Sequence, residues 1–268
     1  MSTILITGAT SGLGRYVAFE LVRSGHVVLA HGRDRDRAEA LVAELTAEGG
    51  EAHGLVADLA SLAQVRELGA RVAADHPGLD VLINNAGIGF GAPGSGREES
   101  ADGHELRLAV NYLAPVALTR ALLPVLRANA PSRIVNVGSA GQVPLEFDDF
   151  EFAVGYSGVD AYRRSKLALA AHTFALAEEL AGSGVSVNVL HPATFMDTAM
   201  VRDGGVNPIS TVADGAAGVL ALATTDLGLV DSGRYFDGTK PSRAHAEAYD
   251  RDVWKRLEAA TNRLLGTG

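Results

Sequence analysis

The amino-acid sequence predicts an α/β protein built on a doubly wound parallel sheet. Three observations carry that expectation. Short β-branched runs alternate with longer helical patterns along nearly all 268 residues, as βαβ units do. Val81-Leu82-Ile83 and Val187-Asn188-Val189-Leu190 are near-continuously apolar, which suits strands covered on both faces. A glycine-rich turn, TGATSGLG at residues 7–14, directly follows the first apolar run.

The first strand is Thr3–Thr7, around Ile4-Leu5-Ile6, and a helix over 13–24 follows the glycines. His26–Ala30 leads to a helix over 35–47, and Glu51–Val56 to one over 61–75. Asp80–Asn84 precedes a loop near 88–100 and a helix over 101–128. Arg133–Val137 leads through an irregular stretch, 140–158, to a helix over 159–182. Val185–Leu190 precedes a loop at 193–210 and a helix over 211–223, and the short strand Gly233–Phe236 is followed by a helix over 242–264. About seven strands thus form one domain, 1–268, because no linker, charge run or repeat divides the chain. Irregular segments as long as 88–100 and 193–210 are often lids or binding loops, although plain surface loops remain the alternative.

Composition narrows the function. At 47% hydrophobic residues the chain can build a large core, and a net charge of −9 argues against a nucleic-acid surface. Zero cysteines exclude a disulfide or a thiolate nucleophile and are compatible with a reducing compartment. Without a signal-peptide pattern or about 20 uninterrupted apolar residues, a soluble, cytoplasmic protein with no membrane span is expected. The eight histidines form no H-E-x-x-H or comparable cluster, so no metal is expected. The partner that remains is a small molecule.

Glycine at 8, 12 and 14, between a strand and a helix, permits dihedrals closed to other residues and removes the Cβ that would hold a pyrophosphate off the backbone. The helix N-terminus then offers free N–H groups to phosphate. Ligands of such Rossmann-type sheets sit at the carboxyl ends of the strands, where strand order reverses.

TGATSGLG resembles the TGxxxGxG motif of the short-chain dehydrogenase/reductase family. The resemblance continues in Asn84-Asn85-Ala86-Gly87, similar to the family's NNAG, in Asn111, in Ser139, and in Tyr162-Arg163-Arg164-Ser165-Lys166, which matches its YxxxK. It spans nearly the whole chain. It implies a dinucleotide held by Gly8, Thr10, Ser11, Gly12, Leu13 and Gly14, by Asp58 and Leu59 at the adenine, and by Asn85, Ala86 and Gly87 beside the ribose and nicotinamide, with Asn84 fixing the loop. Asp58 as an N-cap of the helix near Ser61 is the alternative.

The second strand ends His31-Gly32-Arg33. An acid there would select NAD(H), whereas a guanidinium matches the 2′-phosphate of NADP(H), so NADP(H) is preferred and NAD(H) stays possible. Arg33 pairing with Asp34 or Asp36 in solvent is the other reading.

Tyr162 and Lys166, four apart on a helix, emerge on one face, so the ammonium should lower the phenol's pKa. Lys166 would also hold the nicotinamide ribose, as the resemblance implies. Ser139, after Val137-Gly138, can donate to an oxygen that gains charge during hydride transfer, and Asn111 resembles the family's indirect fourth catalytic member. A serine hydrolase is excluded because residues 137–141 read V-G-S-A-G rather than G-x-S-x-G.

Tyr162 follows Ser139 by 23 positions, longer than the family's compact spacing and similar to its retinol-dehydrogenase-like branch. Gly233-Arg234-Tyr235-Phe236 and Trp254 resemble that branch too. Pro192-Ala193-Thr194 replaces the common Pro-Gly, leaving Pro192 with Thr194 or Thr198 to meet the cofactor. Gln142, Phe147, Phe152, Tyr156, Phe195, Met196 and Met200 are candidates for an apolar substrate cleft, with core packing as the alternative.

The expectation is an NADP(H)-dependent oxidoreductase acting on a small, hydrophobic alcohol or ketone. A cofactor-binding sensor or scaffold without turnover, and a lyase or epimerase using bound cofactor, are the rivals. The apolar helix over 159–182 suggests a homodimer or homotetramer packed about a two-fold axis, or else burial within one chain.

Overall fold

A computed structural model describes every residue except Pro93 and Gly268, with Val230 described through its backbone only. Its strands are β1 (Thr3–Ile6), β2 (Val27–Gly32), β3 (Ala52–Val56), β4 (Leu79–Asn84), β5 (Ser132–Val137), β6 (Val185–His191), β7 (Tyr235–Asp237) and β8 (Lys240–Ser242). They form one sheet of order β3-β2-β1-β4-β5-β6-β7-β8, parallel from β3 to β7. Burial of every residue of β2 and β6 explains their unbroken apolar runs, since helices cover both faces.

The helices are α1 (Gly12–Arg23), α2 (Arg35–Ala47), α3 (Leu62–Asp75), α4 (Leu106–Leu108), α5 (Ala114–Ala128), α6 (Gly158–Glu179), α7 (Ala199–Asp203), α8 (Val212–Thr224), α9 (Leu227–Val230) and α10 (Arg251–Leu265). One apolar core, with Val17, Leu21, Leu41 and Val219, lies under α1, α2 and α8. The other, with Val65, Leu118, Phe174 and Leu257, lies under α3, α5, α6 and α10.

Between α4 and α5 the helix widens into a π-helical turn, Ala109–Leu113, closed by Ala114 N–H donating to Ala109 O. Pro115 has no N–H to return to the carbonyl of Asn111, so the ordinary ladder cannot continue there. The whole rod Leu106–Ala128 has the length and apolarity of a membrane span, yet 67% of its most apolar window is buried inside the fold.

Two expectations need correction. The helix expected from 101 begins at Leu106, behind a turn in which Glu105 accepts the Leu108 N–H at 2.7 Å. The last helix, expected from 242, begins at Arg251, and the sheet gains an eighth strand, β8, antiparallel to β7 through a turn with Gly238 at φ +56°. Lys240-Pro241-Ser242 is exposed and proline-containing, which an edge strand tolerates but a periodicity reading passes over. Within the chain, β6, the widened turn and α10 pack on α6 and bury Ala161, Ser165 to Ala171, Thr173, Phe174, Leu176 and Ala177.

Candidate active site

Strand order reverses between β1 and β4, and the glycine turn after β1 meets Asn85 to Ile88 after β4 at that carboxyl edge. Gly8 and Gly12 take φ of +67° and +50°, a region that favours glycine. A Cβ on Gly14 would collide with the Gly8 carbonyl and the Asn85 amide. The turn is therefore packed from below by Gly8 and Asn85, with the Thr198 methyl on the Gly12 side.

Three side chains hold it. Thr7 Oγ1 accepts from the N–H groups of Asn85 and Ala86, both at 3.0 Å. Asn85 Nδ2 donates to Thr7 O at 2.8 Å and Gly8 O at 3.3 Å. His31, buried at the end of β2, accepts the Gly8 N–H on Nδ1 at 3.3 Å, and its Nε2 reaches Ala57 O at 3.0 Å. The neutral tautomer protonated on Nε2 satisfies both bonds, and burial pushes the imidazole down to about 4. Asn84, expected to fix this loop, instead donates to Asn136 Oδ1 and Thr119 Oγ1 inside the fold, so bracing falls to Asn85.

Ser11 occupies the N-cap of α1 without a side-chain cap bond, whereas Asp34, Ser61, Ser157, Thr211 and Asp250 cap their helices. An uncapped N-terminus beside a cradle free of Cβ atoms fits a pyrophosphate. Thr10 lies on this turn, and buried Leu13 anchors the helix beneath it.

At the adenosine corner a Cβ on Gly32 would clash with the Thr10 methyl, so an acid at this position has no room unless Thr10 moves. Arg33 is exposed and makes no ion pair among the described residues, contrary to the pairing with Asp34 or Asp36. Asp34 caps α2 instead, accepting the Arg37 N–H at 2.9 Å. Arg37, missed in the sequence, donates from Nη2 to Thr10 O at 3.2 Å and brings its guanidinium to the glycine turn. Its spacing four after Arg33 was the available signal. Asp58 is exposed and accepts the Ala60 N–H at 2.9 Å, while Ser61 caps α3, and Leu59 is buried beside it. The N-cap alternative for Asp58 therefore fails.

Tyr162 and Lys166 project from α6 toward the end of β5. Lys166 is buried, donates from Nζ to Val137 O at 2.9 Å, and sits 5.7 Å from the Tyr162 ring centroid. Burial pushes its ammonium down to about 8. The phenol is pushed up by burial and drawn partly back by hydrogen bonding with Ser139, so the expected lowering by Lys166 is absent. Gly141 N–H donates to Ser139 Oγ at 3.1 Å, a contact that does not use the serine's own proton.

Asn111 sits in the π-helical turn, accepting from Ile88 N at 2.8 Å and donating to Ile88 O and Ser165 Oγ, each at 3.1 Å. Widened turns of this kind occur often at functional sites. Gly87 fits between Asn111 and Lys166, where a Cβ would stand 3.2 Å from Asn111 Oδ1 and 3.6 Å from Lys166 Nζ. Phe90, also missed, meets the Tyr162 ring edge-on at 5.0 Å between centroids, and the Gly89-Phe90-Gly91 sequence was its only signal.

The substrate candidates do not form one cleft. Phe147 stacks on Phe150 at 5.7 Å and lies under Arg256 of α10. Phe152 is buried beneath the Arg164 guanidinium, and the Tyr156 hydroxyl is taken by Glu105 at 2.9 Å and Arg107 at 2.8 Å. Met196 packs into the core under α8, and Gln142 spends both ends of its amide on protein atoms. Phe195, on the loop after β6, and Met200, on α7, remain exposed, Met200 lying against Gly89. Thr194, following Pro192, is held by His191 Nε2 at 2.9 Å, so Thr198, whose methyl faces Gly12, is the threonine above the glycine turn.

Known proteins resemble this chain in sequence and fold. The short chain dehydrogenase family matches residues 2–206. Human retinol dehydrogenase 13 is 36% identical over 284 residues, covering 98% of this chain and 84% of that protein. A solved structure of an uncharacterised Mycobacterium paratuberculosis protein superimposes with a TM-score of 0.82 at 30% identity, covering 100% of this chain and 94% of its own. A Burkholderia cenocepacia short chain dehydrogenase in complex with NADP gives a TM-score of 0.71 at 31% identity, covering 88% and 95%. Sequence and fold agree with these matches, and the chain belongs to the short chain dehydrogenase family as an NAD(P)-dependent alcohol and carbonyl oxidoreductase.

Proposed function

We propose that this chain is an NADP(H)-dependent oxidoreductase of a small, hydrophobic alcohol or ketone. The observation that carries the reading is the meeting of Tyr162, Ser139 and Lys166 at the carboxyl edge beside an uncapped α1 and its glycine turn. Bound NADP(H) would supply or accept the hydride. Gly8, Gly12 and Gly14 would admit its pyrophosphate, with Arg33 and Arg37 offering donors to the 2′-phosphate. The NADP complex of the Burkholderia relative supports that choice.

Ser139 donates a hydrogen bond to the substrate oxygen, and Tyr162 gives that oxygen its proton in reduction or takes it in oxidation. A phenol raised by burial stays protonated at neutral pH, which suits the reductive direction. Lys166 orients the bound ribose, and Asn111 fixes the Ile88 backbone at the same edge. Phe90 against Tyr162 and Met200 against the neighbouring Gly89 bring apolar surface to this edge, and the human relative's name denotes a hydrophobic alcohol substrate.

A carbonyl library assayed with NADPH and with NADH tests the proposal. The expected result is NADPH consumption on apolar ketones or aldehydes, with NADH at least tenfold poorer. Tight NADPH binding without consumption across the library would contradict it.

A further inference from the structure

Ser139 lies two residues beyond β5 on a stretch, 138–146, that has no helix or strand to aim it. Its backbone is held from two sides. Tyr235, buried on β7, donates from its hydroxyl to Ser139 O at 3.0 Å, and Gln142 Nε2 donates to the same oxygen at 2.8 Å. Gln142 Oε1 in turn accepts the His245 N–H at 2.8 Å, and Glu247 Oε2 accepts the Leu145 N–H at 3.1 Å. Gly138 adds a third constraint, donating to Leu190 O at 2.8 Å where a Cβ would press on Val189.

The segment carrying His245 and Glu247 is tied to the helix that carries Tyr162. Tyr249 stacks on Phe174 of α6 with centroids 4.6 Å apart, and its hydroxyl accepts the Ala244 N–H at 3.0 Å. Trp254 Nε1 donates to Ala248 O at 2.7 Å. A closed path therefore runs from Tyr162 along α6, through the chain after β8, to Gln142 and back to Ser139.

We propose that Tyr235 and Gln142 are positioning residues that aim the Ser139 hydroxyl, and that the C-terminal segment 243–249 serves catalysis through them. This rests on the reading of Ser139 as the donor to the substrate oxygen. Turning the Ser139 peptide would carry its hydroxyl away from both that oxygen and the Tyr162 phenol. Two donors on one carbonyl oppose such a turn.

A double-mutant cycle on the full chain tests it, using NADPH and a carbonyl substrate found in the library. Ser139→Ala alone checks the underlying reading, and full activity in that variant would defeat that reading and the proposal together. With Ser139→Ala impaired, Tyr235→Phe should lower kcat about tenfold, leaving KM and the NADPH Kd unchanged. The pH limb belonging to the phenol should move upward, since Ser139 no longer draws it down. In the Ser139→Ala background Tyr235→Phe should cost less than about twofold, because the group it positions is gone. Gln142→Ala repeats the cycle at a half-buried side chain and decides the matter should Tyr235→Phe fold poorly. Equal losses in both backgrounds, or a change in KM alone, would overturn the proposal.

Discussion

His31 shows how one side chain can set both loop geometry and acid stability. Its Nδ1 accepts from Gly8 and its Nε2 bonds Ala57 O, so protonation of Nδ1 must break the bond that holds the glycine turn. The folded imidazole lies at about 4 against an ordinary 6.5, and the unfolded chain therefore binds more protons between those values. Stability is complete above pH 6.5 and is lost as pH falls toward 4. His172, buried and also near 4, acts in the same direction. Denaturant titration should show a loss on the order of 2 kcal/mol per histidine between pH 6.5 and 4.5, with a shallower loss in His31→Gln. A wild-type stability flat across that range would contradict this assignment. Nothing in the run Leu29-Ala30-His31-Gly32 marked the histidine, because its partners come from the turn after β1 and from Ala57, far apart in sequence. Tyr162, Lys166 and Ser139 were legible as residues, but not the balance of burial over charge that raises the phenol.

Between residue and fold, the glycine turn was the most legible element, since its spacing states where backbone must approach backbone. Gly14 is the strictest position, facing the Gly8 carbonyl and the Asn85 amide with no space for a methyl. Gly14→Ala should destabilise the fold by about 1–3 kcal/mol and weaken NADPH binding at least tenfold by displacing Gly8, as read by thermal melts and fluorescence titration. Unchanged affinity would show that the turn does not carry the dinucleotide. The seven main strands were legible because β-branched runs recur between helical patterns. Two elements were hidden. The edge strand β8 is three exposed residues around Pro241, with no alternation to detect. The π-helical turn at Asn111 depends on hydrogen-bond register, which Pro115 hints at but periodicity does not record. The insert 140–158 looked like a substrate wall because it is aromatic. Its aromatic rings instead pack on Arg256, Arg164 and Arg107, partners invisible before folding.

Over the whole molecule, the sheet gathers the site while the C-terminal segment closes it. The proposed function requires a dinucleotide laid over the glycine turn, where strand order reverses between β1 and β4, to lie next to the Tyr162 phenol, with proton transfer and cofactor binding on separable residues. Helix α10 packs on α6, the helix bearing Tyr162 and Lys166, within the chain. Tyr162→Phe tests that requirement directly, with turnover followed by NADPH consumption and binding by NADPH fluorescence on the same protein. The variant should lose about a thousandfold or more in kcat while its NADPH Kd stays within about threefold of wild type. Turnover within tenfold of wild type would contradict the account.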